Sequence, residues 1–257
     1  MNSHLIVFGA NSYVFNNILR YNIGIINSFD SVTLCTHSPL ISHMQSFSDC
    51  KFQHIKCDLT SLLPSMLLHR LGDCSHVLFL PELKYISPVI TFLESIKSNV
   101  RIIALSSTAC FTNLPSRNKS WRIKSERYCL SSKLDITILR CNMIFGGFKD
   151  RNISKLLYLC RKSFIIPILF KNLRFPVIQP LPIYDLLLCI DIALKTSLPK
   201  GLYNLSGPYP INLFSFVNLI SEVNKKFLLK IPVPASLLSI FFHLLSYMLP
   251  QHASYRL

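Results

Sequence analysis

Short strand-like stretches, the first of them the wholly apolar Leu5–Phe8, recur through the first half of the chain at Leu5–Phe8, Ser31–Thr36, Phe52–Ile55, His76–Leu80 and Val100–Leu105. Continuous runs of this length read as strands buried on both faces, as in a parallel sheet. Between them, Tyr13–Arg20 and Ile86–Lys97 carry apolar residues at helical spacing. Strand-like and helical segments that alternate every ~20–30 residues predict an α/β chain. The expected fold is a Rossmann-like, doubly wound parallel sheet with helices on both faces. The second half continues the pattern with a strand from Asp135, a helix opening over Asp150-Arg151-Asn152-Ile153, a strand at Gly201–Leu205 and a helix over Leu213–Lys226.

The first strand ends on Gly9, and Asn11 and Ser12 are helix N-cap residue types ahead of Tyr13 and Val14. A strand, a glycine turn and a helix N-terminus form a corner where backbone N–H groups and the helix dipole can meet a pyrophosphate. Ligands of doubly wound sheets bind at the carboxyl ends of the strands. Gly9, His37, Asp58, Pro81 and Ser107 are all expected there. The second strand runs into Thr36-His37-Ser38 with no acid to hold a ribose hydroxyl pair, which leans toward NADP over NAD, or toward no cofactor. Asp58 reads locally as the cap of a helix starting near Ser61, a role compatible with a place at the strand ends.

Charge and cysteine content narrow the function classes. The chain has 257 residues, half of them hydrophobic, enough for one core with a smaller lobe. Its net charge is +15, but the basic residues are scattered with no run longer than Lys225-Lys226, which makes a nucleic-acid face unlikely. Nine cysteines without a Cys-x-x-Cys pair predict small core residues in a reducing compartment rather than a disulfide framework or a metal site. No basic-then-apolar leader precedes His4, and no apolar run reaches the ~20 residues of a membrane span. The expected location is cytoplasmic, peripheral to the inner face of a membrane if Ser236–Leu249 touches lipid. That stretch is almost wholly apolar with a narrow Ser/His stripe, readable as a packing helix, a homodimer interface or a membrane-surface segment.

The opening stretch Gly9-Ala10-Asn11-Ser12-Tyr13-Val14-Phe15 resembles the Gly-x-x-Gly-x-x-Gly loop of the NAD-dependent epimerase/dehydratase family, the extended and atypical short-chain dehydrogenase/reductases. Ser12 and Phe15 stand where the second and third glycines are usual. Asp58-Leu59, Asp135–Gly146 with Thr137-Ile138-Leu139-Arg140, Gln179-Pro180-Leu181-Pro182-Ile183-Tyr184-Asp185-Leu186 and Gly201–Gly207 match further motifs of that family in order. Cys141 replaces a usual proline and Pro182 a usual histidine, and the end of the chain is short for the family. The resemblance implies an NAD(P)-binding region over 1–140 and a smaller substrate-side lobe over 141–257, with the last strands interleaved. It implies cofactor contacts from Gly9, Asn11, Ser12, Tyr13, Val14, His37, Asp58, Leu59, Leu80 and Pro81. On the substrate side it implies Arg140, Asn142, Arg151 and Gln179, with a nucleotide sugar as the phosphorylated partner and no metal.

In that family a tyrosine and a lysine four residues later share a helix face and move a proton, while a serine or threonine after the fifth strand holds the substrate oxygen. Ser107 or Thr108 suits the last role, though a strand-end serine bonding its own backbone is as good a reading. The tyrosine-lysine pair is missing. Lys124 and Tyr128 share a face in reversed order, and Lys133 falls one residue late for Tyr128. Glu126 matches a glutamate typical of the atypical branch, with a salt bridge to a neighbour such as Arg122 expected. The resemblance therefore implies hydride transfer at a sugar carbon. The missing pair and the altered glycine loop point to the alternative, an inactive relative serving as a binding or assembly module.

Overall fold

The computed structural model describes residues 3–21, 23–39, 51–111, 117–147, 150, 153–170, 174–196 and 198–234. Arg151, Cys50 and the stretch Ser236–Leu249 lie outside them. The elements in chain order are β1 (His4–Phe8), α1 (Tyr13–Tyr21), β2 (Ser31–Thr36), β3 (Phe52–Lys56), α2 (Ser65–Gly72), β4 (His76–Phe79), α3 (Ser87–Ser95), β5 (Arg101–Ser107) and α4 (Arg117–Ser131). They continue with β6 (Asp135–Cys141), β7 (Ile144–Phe145), α5 (Ile153–Lys162), β8 (Ile165–Phe170), β9 (Val177–Ile178) and β10 (Leu181–Pro182). The last are α6 (Ile183–Lys195), β11 (Gly201–Leu205), β12 (Ile211–Asn212), α7 (Leu213–Val223) and β13 (Leu229–Pro234).

Two compact units share these elements. One comprises 1–150 with 180–207, the other 151–179 with 208–257. The first is built on a seven-stranded sheet of order β11-β6-β5-β4-β1-β2-β3, with every pairing parallel. The expected doubly wound sheet is therefore present, its order reversing at β1 and β4. Side chains of a strand point to opposite faces in turn, and β1 shows the consequence. Leu5 and Val7 join one core with α1 and α6, through Phe15, Ile18, Leu186 and Ile190. Ile6 and Phe8 join the other with α2 and α3, through Leu67, Leu71, Val89 and Ile90. Both faces of β1 are covered, which is why Leu5–Phe8 reads as an unbroken apolar run. Seven of the eight described cysteines are buried in these cores and in that of the second unit.

Two expected boundaries are corrected. The helix after β3 starts at Ser65, not near Ser61, and Pro64 is its N-cap. A residue before proline is pushed out of the helical region, so Leu63 cannot extend the helix backward. Asp58 accordingly caps no helix. The last helix stops at Val223 rather than Lys226, because Lys225 takes a positive φ of 49°. In the second unit, α5 and α7 cover one face of the parallel pair β8–β13 around Ile166, Ile168, Val217 and Ile220, and β9 pairs antiparallel with β12.

Candidate functional site

The corner after β1 forms because Gly9 adopts φ +76°, a conformation glycine enters without cost. A Cβ there would stand 3.2 Å from the Pro81 ring, so the residue also keeps two strand ends close. The Gly9 and Ala10 N–H groups donate to the Cys35 carbonyl at 2.9 and 3.2 Å, tying the turn to β2. Ser12 Oγ accepts the Phe15 N–H at 3.2 Å, so the serine acts as the helix cap. Phe15 does not turn outward. It is fully buried in the helix–sheet core, filling the space between α1 and the strands that a third glycine would have left for closer packing. Tyr13 donates its hydroxyl to the Gly146 carbonyl, and burial pushes its phenol pKa up, so it stays protonated.

Asn11 turns toward the end of β2. Its Nδ2 donates to Ser38 Oγ at 3.0 Å and to the Pro39 carbonyl at 2.9 Å. Its Oδ1 is buried with no hydrogen-bond partner among the described residues. Such an atom costs free energy unless a donor arrives.

Two cavities open on the carboxyl edge of the sheet, and Pro81 lines both. One, of about 460 Å³, is lined by Gly9, Thr36, His37, Asp58, Leu59 and Tyr85 among others. Asp58 accepts the Thr60 N–H and hydroxyl at 2.8 and 2.7 Å, and these bonds hold its carboxyl below the usual range, with His37 3.8 Å away as a further cation when protonated. The other, of about 260 Å³, is lined by Val14, Leu80, Ser107, Asn118, Trp121 and Arg122, with Lys84 and Glu82 on its rim. The structure thus brings Val14, Leu80, Pro81 and Ser107 to one cavity, and Gly9, His37, Asp58, Leu59 and Pro81 to the other.

Of the described catalytic and substrate-side candidates, only Ser107 lies in these cavities. Ser107 Oγ accepts the Ala109 N–H at 3.2 Å, a local turn bond compatible with its place in the cavity wall. Thr108 Oγ1 donates to the Cys141 carbonyl and to Asn142 Oδ1, both at 3.5 Å, and Asn142 Oδ1 also accepts the Met143 N–H, so these two residues brace the ends of β5 and β6. Lys124 and Tyr128 line a neighbouring recess with Ile86 and Ser87 that shares Leu83, Lys84 and Trp121 with the smaller cavity, and the Tyr128 hydroxyl lies 3.3 Å from Thr91 Oγ1. Ser107 is not among its lining residues, so the reversed pair and the serine are not brought together. Glu126 is 2% exposed and pairs with Arg140, not with Arg122: Nε reaches Oε1 at 2.9 Å and Nη2 reaches Oε2 at 2.6 Å. Arg140 also stacks on Phe111 at 4.9 Å. Its guanidinium is committed to this clamp. Gln179 follows β9 in the second unit.

Sequence reasoning missed Asn118 and Arg122. They stand four apart on α4, and a step of four residues returns to one helix face. The signal was present in their spacing from Glu126, which repeats the same step: 118, 122, 126.

No family model and no curated protein matches the chain. Solved structures do. The dTDP-glucose 4,6-dehydratase of Bacillus anthracis, in complex with NAD, superposes with a TM-score of 0.69 at 15% identity, over 91% of this chain and 85% of that one. The chain has their fold. The enzyme WbmG of Bordetella bronchiseptica, in complex with NAD, gives 0.72 at 11% identity over 91% and 82%. The UDP-glucuronic acid 4-epimerase of Bacillus cereus, also with NAD, gives 0.69 at 16% over 90% and 87%. No helix among the described residues is long and apolar enough to cross a membrane.

Proposed function

We propose that the chain is an NAD(P)-binding member of the NAD-dependent epimerase/dehydratase family that acts on a nucleotide sugar by hydride transfer at a sugar carbon. One observation carries this reading: two cavities on the carboxyl edge of a doubly wound sheet that share Pro81 in their walls, beside a positive-φ glycine. The residues present fit a dinucleotide. Gly9 leaves the backbone open where a Cβ would intrude, and the orphaned Asn11 Oδ1 is an acceptor suited to a hydroxyl donor. Asp58 keeps a negative charge that accepts from ribose or adenine donors. Gly9, Ser12, Tyr13 and Val14 would hold the diphosphate, His37, Asp58 and Leu59 the adenosine end, and Leu80 and Pro81 the part of the cofactor at the shared wall. His37 at the end of β2 favours the NADP phosphate over a bare ribose.

The bound cofactor would supply the hydride acceptor or donor. Ser107 and Asn118 would orient the sugar's oxygen by hydrogen bonding, and the fixed positive charge of Arg122 would stabilise the alkoxide left when hydride is delivered to a sugar carbonyl, which then takes its proton from solvent water. Neither an amide nor a guanidinium takes up a proton at neutral pH. This one observation favours a second reading, a module that binds the same ligands with little or no turnover.

Titration with NADPH and NADH tests the proposal through Trp121, the chain's single tryptophan, which lines the smaller cavity. Saturable micromolar quenching with energy transfer to the reduced nicotinamide is expected, tighter for NADPH. No response at millimolar cofactor would remove both readings.

A further inference from the structure

The second unit carries ten of the chain's 27 Lys and Arg residues and one of its 12 acids, Glu222. Within it, two loops adjoin: the turn from α5 into β8 and the turn from α7 into β13. Lys226 fastens them by donating to the Cys160, Arg161 and Ser163 carbonyls at 3.1, 2.6 and 2.9 Å, and the Leu229 N–H donates to the Phe164 carbonyl at 2.7 Å. The tip so formed presents Phe164 and Phe227, 68% and 77% exposed, among exposed Arg161, Lys162 and Lys225. The pattern continues along the sheet. Ile166 and Ile168 face the helices, so Ile165, Leu229 and Ile231 stand on the opposite face, half exposed and in register, Leu229 against Ile165. The next residues in sequence, Ser236–Leu249, are apolar and free of Asp, Glu, Lys and Arg.

We propose that this tip and sheet face dock on an anionic lipid surface. Large rings and aliphatic side chains enter the headgroup boundary, while the surrounding cations meet lipid phosphates and carboxylates. Charge decides among occupants. A second copy would bring an equally basic unit against this one, and like charges across an interface repel. An anionic membrane offers the complementary charge and takes up apolar surface without a shaped partner. The cations already engaged do not weaken this: Lys226 is spent on the carbonyls that fasten the tip, and Arg161 uses its Nε on Asn224 Oδ1 at 3.3 Å, so Lys162, Lys225 and the exposed Arg161 guanidinium still carry positive charge on the outside. This inference does not rest on cofactor binding.

The test is co-sedimentation of the full chain with phosphatidylcholine vesicles and with vesicles holding about 30 mol% phosphatidylserine. Binding to the anionic vesicles, weakened by salt, is expected, with little binding to neutral ones. Phe164→Ser/Phe227→Ser should lower partitioning roughly tenfold, and Lys162→Gln/Lys225→Gln should lower it on anionic vesicles alone. Both pairs are exposed, and an unchanged melting curve shows that fold is kept. Absence of vesicle binding overturns the proposal, whether the chain is then a monomer, self-associates through Phe164 and Phe227, or instead retains a single-stranded oligonucleotide.

Discussion

Glu126 on α4 and Arg140 on β6 form a bidentate pair beneath the candidate site, and Ser106 adds a third bond by donating its hydroxyl to Glu126 Oε1 at 2.6 Å. The pair ties helix to sheet on the helix face from which Arg122 and Asn118 project about one and two turns earlier. Removing one partner strands a buried charge, which costs about 3–5 kcal/mol, whereas removing both leaves none. Arg140→Met should therefore lower the melting temperature by on the order of 10 °C. Glu126→Leu/Arg140→Met should recover more than half of that loss. A calorimetric melt of the three proteins decides, and an additive loss in the double variant would count against the clamp.

The two glycines that frame the first unit differ in what they exclude. At Gly9 a Cβ meets a proline ring at 3.2 Å and the backbone is left-handed. Gly9→Ala should cost about 1–2 kcal/mol in strain while leaving a folded protein. At Gly207 a Cβ would lie 1.9 Å from the Pro180 carbonyl oxygen, a collision no rotamer relieves. Gly207→Ala should be the more damaging change, visible as loss of soluble protein or of the cooperative urea transition.

The helix cap and the core ring that replace motif glycines separate in the same way. Ser12→Ala removes the acceptor of the Phe15 N–H and should cost about 1 kcal/mol. Phe15→Ala opens a cavity in a fully buried core and should cost about 3–5 kcal/mol. Urea midpoints at equal slope give both values, and near-equal losses would mean that Phe15 is not a core residue.

Acid should destabilise the chain through its histidines. Burial pushes the pKa of His4, His54 and His76 below the ordinary value of 6.5, with Arg70 adding to the effect at His4 and Arg101 at His76. The unfolded chain then takes up protons that the folded chain refuses. Stability is full above about pH 6.5 and falls as pH drops from there toward the depressed folded values. His4 is buried with its Nε2 2.9 Å from Thr33 Oγ1. His4→Gln can keep a bond to Thr33 but cannot titrate, so it should flatten the decline between pH 6.5 and 5 in a series of urea melts. An unchanged decline would assign the acid sensitivity elsewhere.

The sheet was legible because burial on both faces makes its central strands largely apolar, as at Leu5–Phe8, and Ser31–Thr36, mixed in sequence, still appears with the expected bounds. The cavities at the carboxyl edge were legible where a strand end lines them, as at Gly9, Asp58, Pro81 and Ser107, whose roles remain proposals. The wall taken from α4 was not legible. There the reading began from tyrosine and lysine as residue types and so settled on Tyr128 and Lys124, which line another recess. The helix has no apolar stripe to fix its facing, and among the described residues only the buried Glu126 and Cys129 record which side meets the sheet. The partner of Glu126 could not be read either, since Arg140 reaches it from another element.

Counting back from Glu126 in steps of four gives Arg122 and Asn118, and both line the cavity with Ser107. If the site binds a dinucleotide and a sugar, it holds them with a permanent cation and an amide where a relay would need a phenol and an amine. Asn118→Tyr/Arg122→Lys supplies that relay on the same helix face, with the lysine ammonium placed to lower the phenol pKa. General acid–base catalysis is worth about 10²–10⁴-fold. The double variant should raise cofactor-dependent turnover of a nucleotide sugar by at least tenfold, read as change in nicotinamide absorbance. Arg122→Ala alone should weaken binding of an anionic ligand about tenfold, the loss of one charged contact. A gain in the double variant with cofactor affinity unchanged would place the chain's deficit in proton transfer. No gain, together with intact cofactor binding, would place it in the geometry set by Ser12 and Phe15, whose cap and ring fix where α1 begins relative to β1.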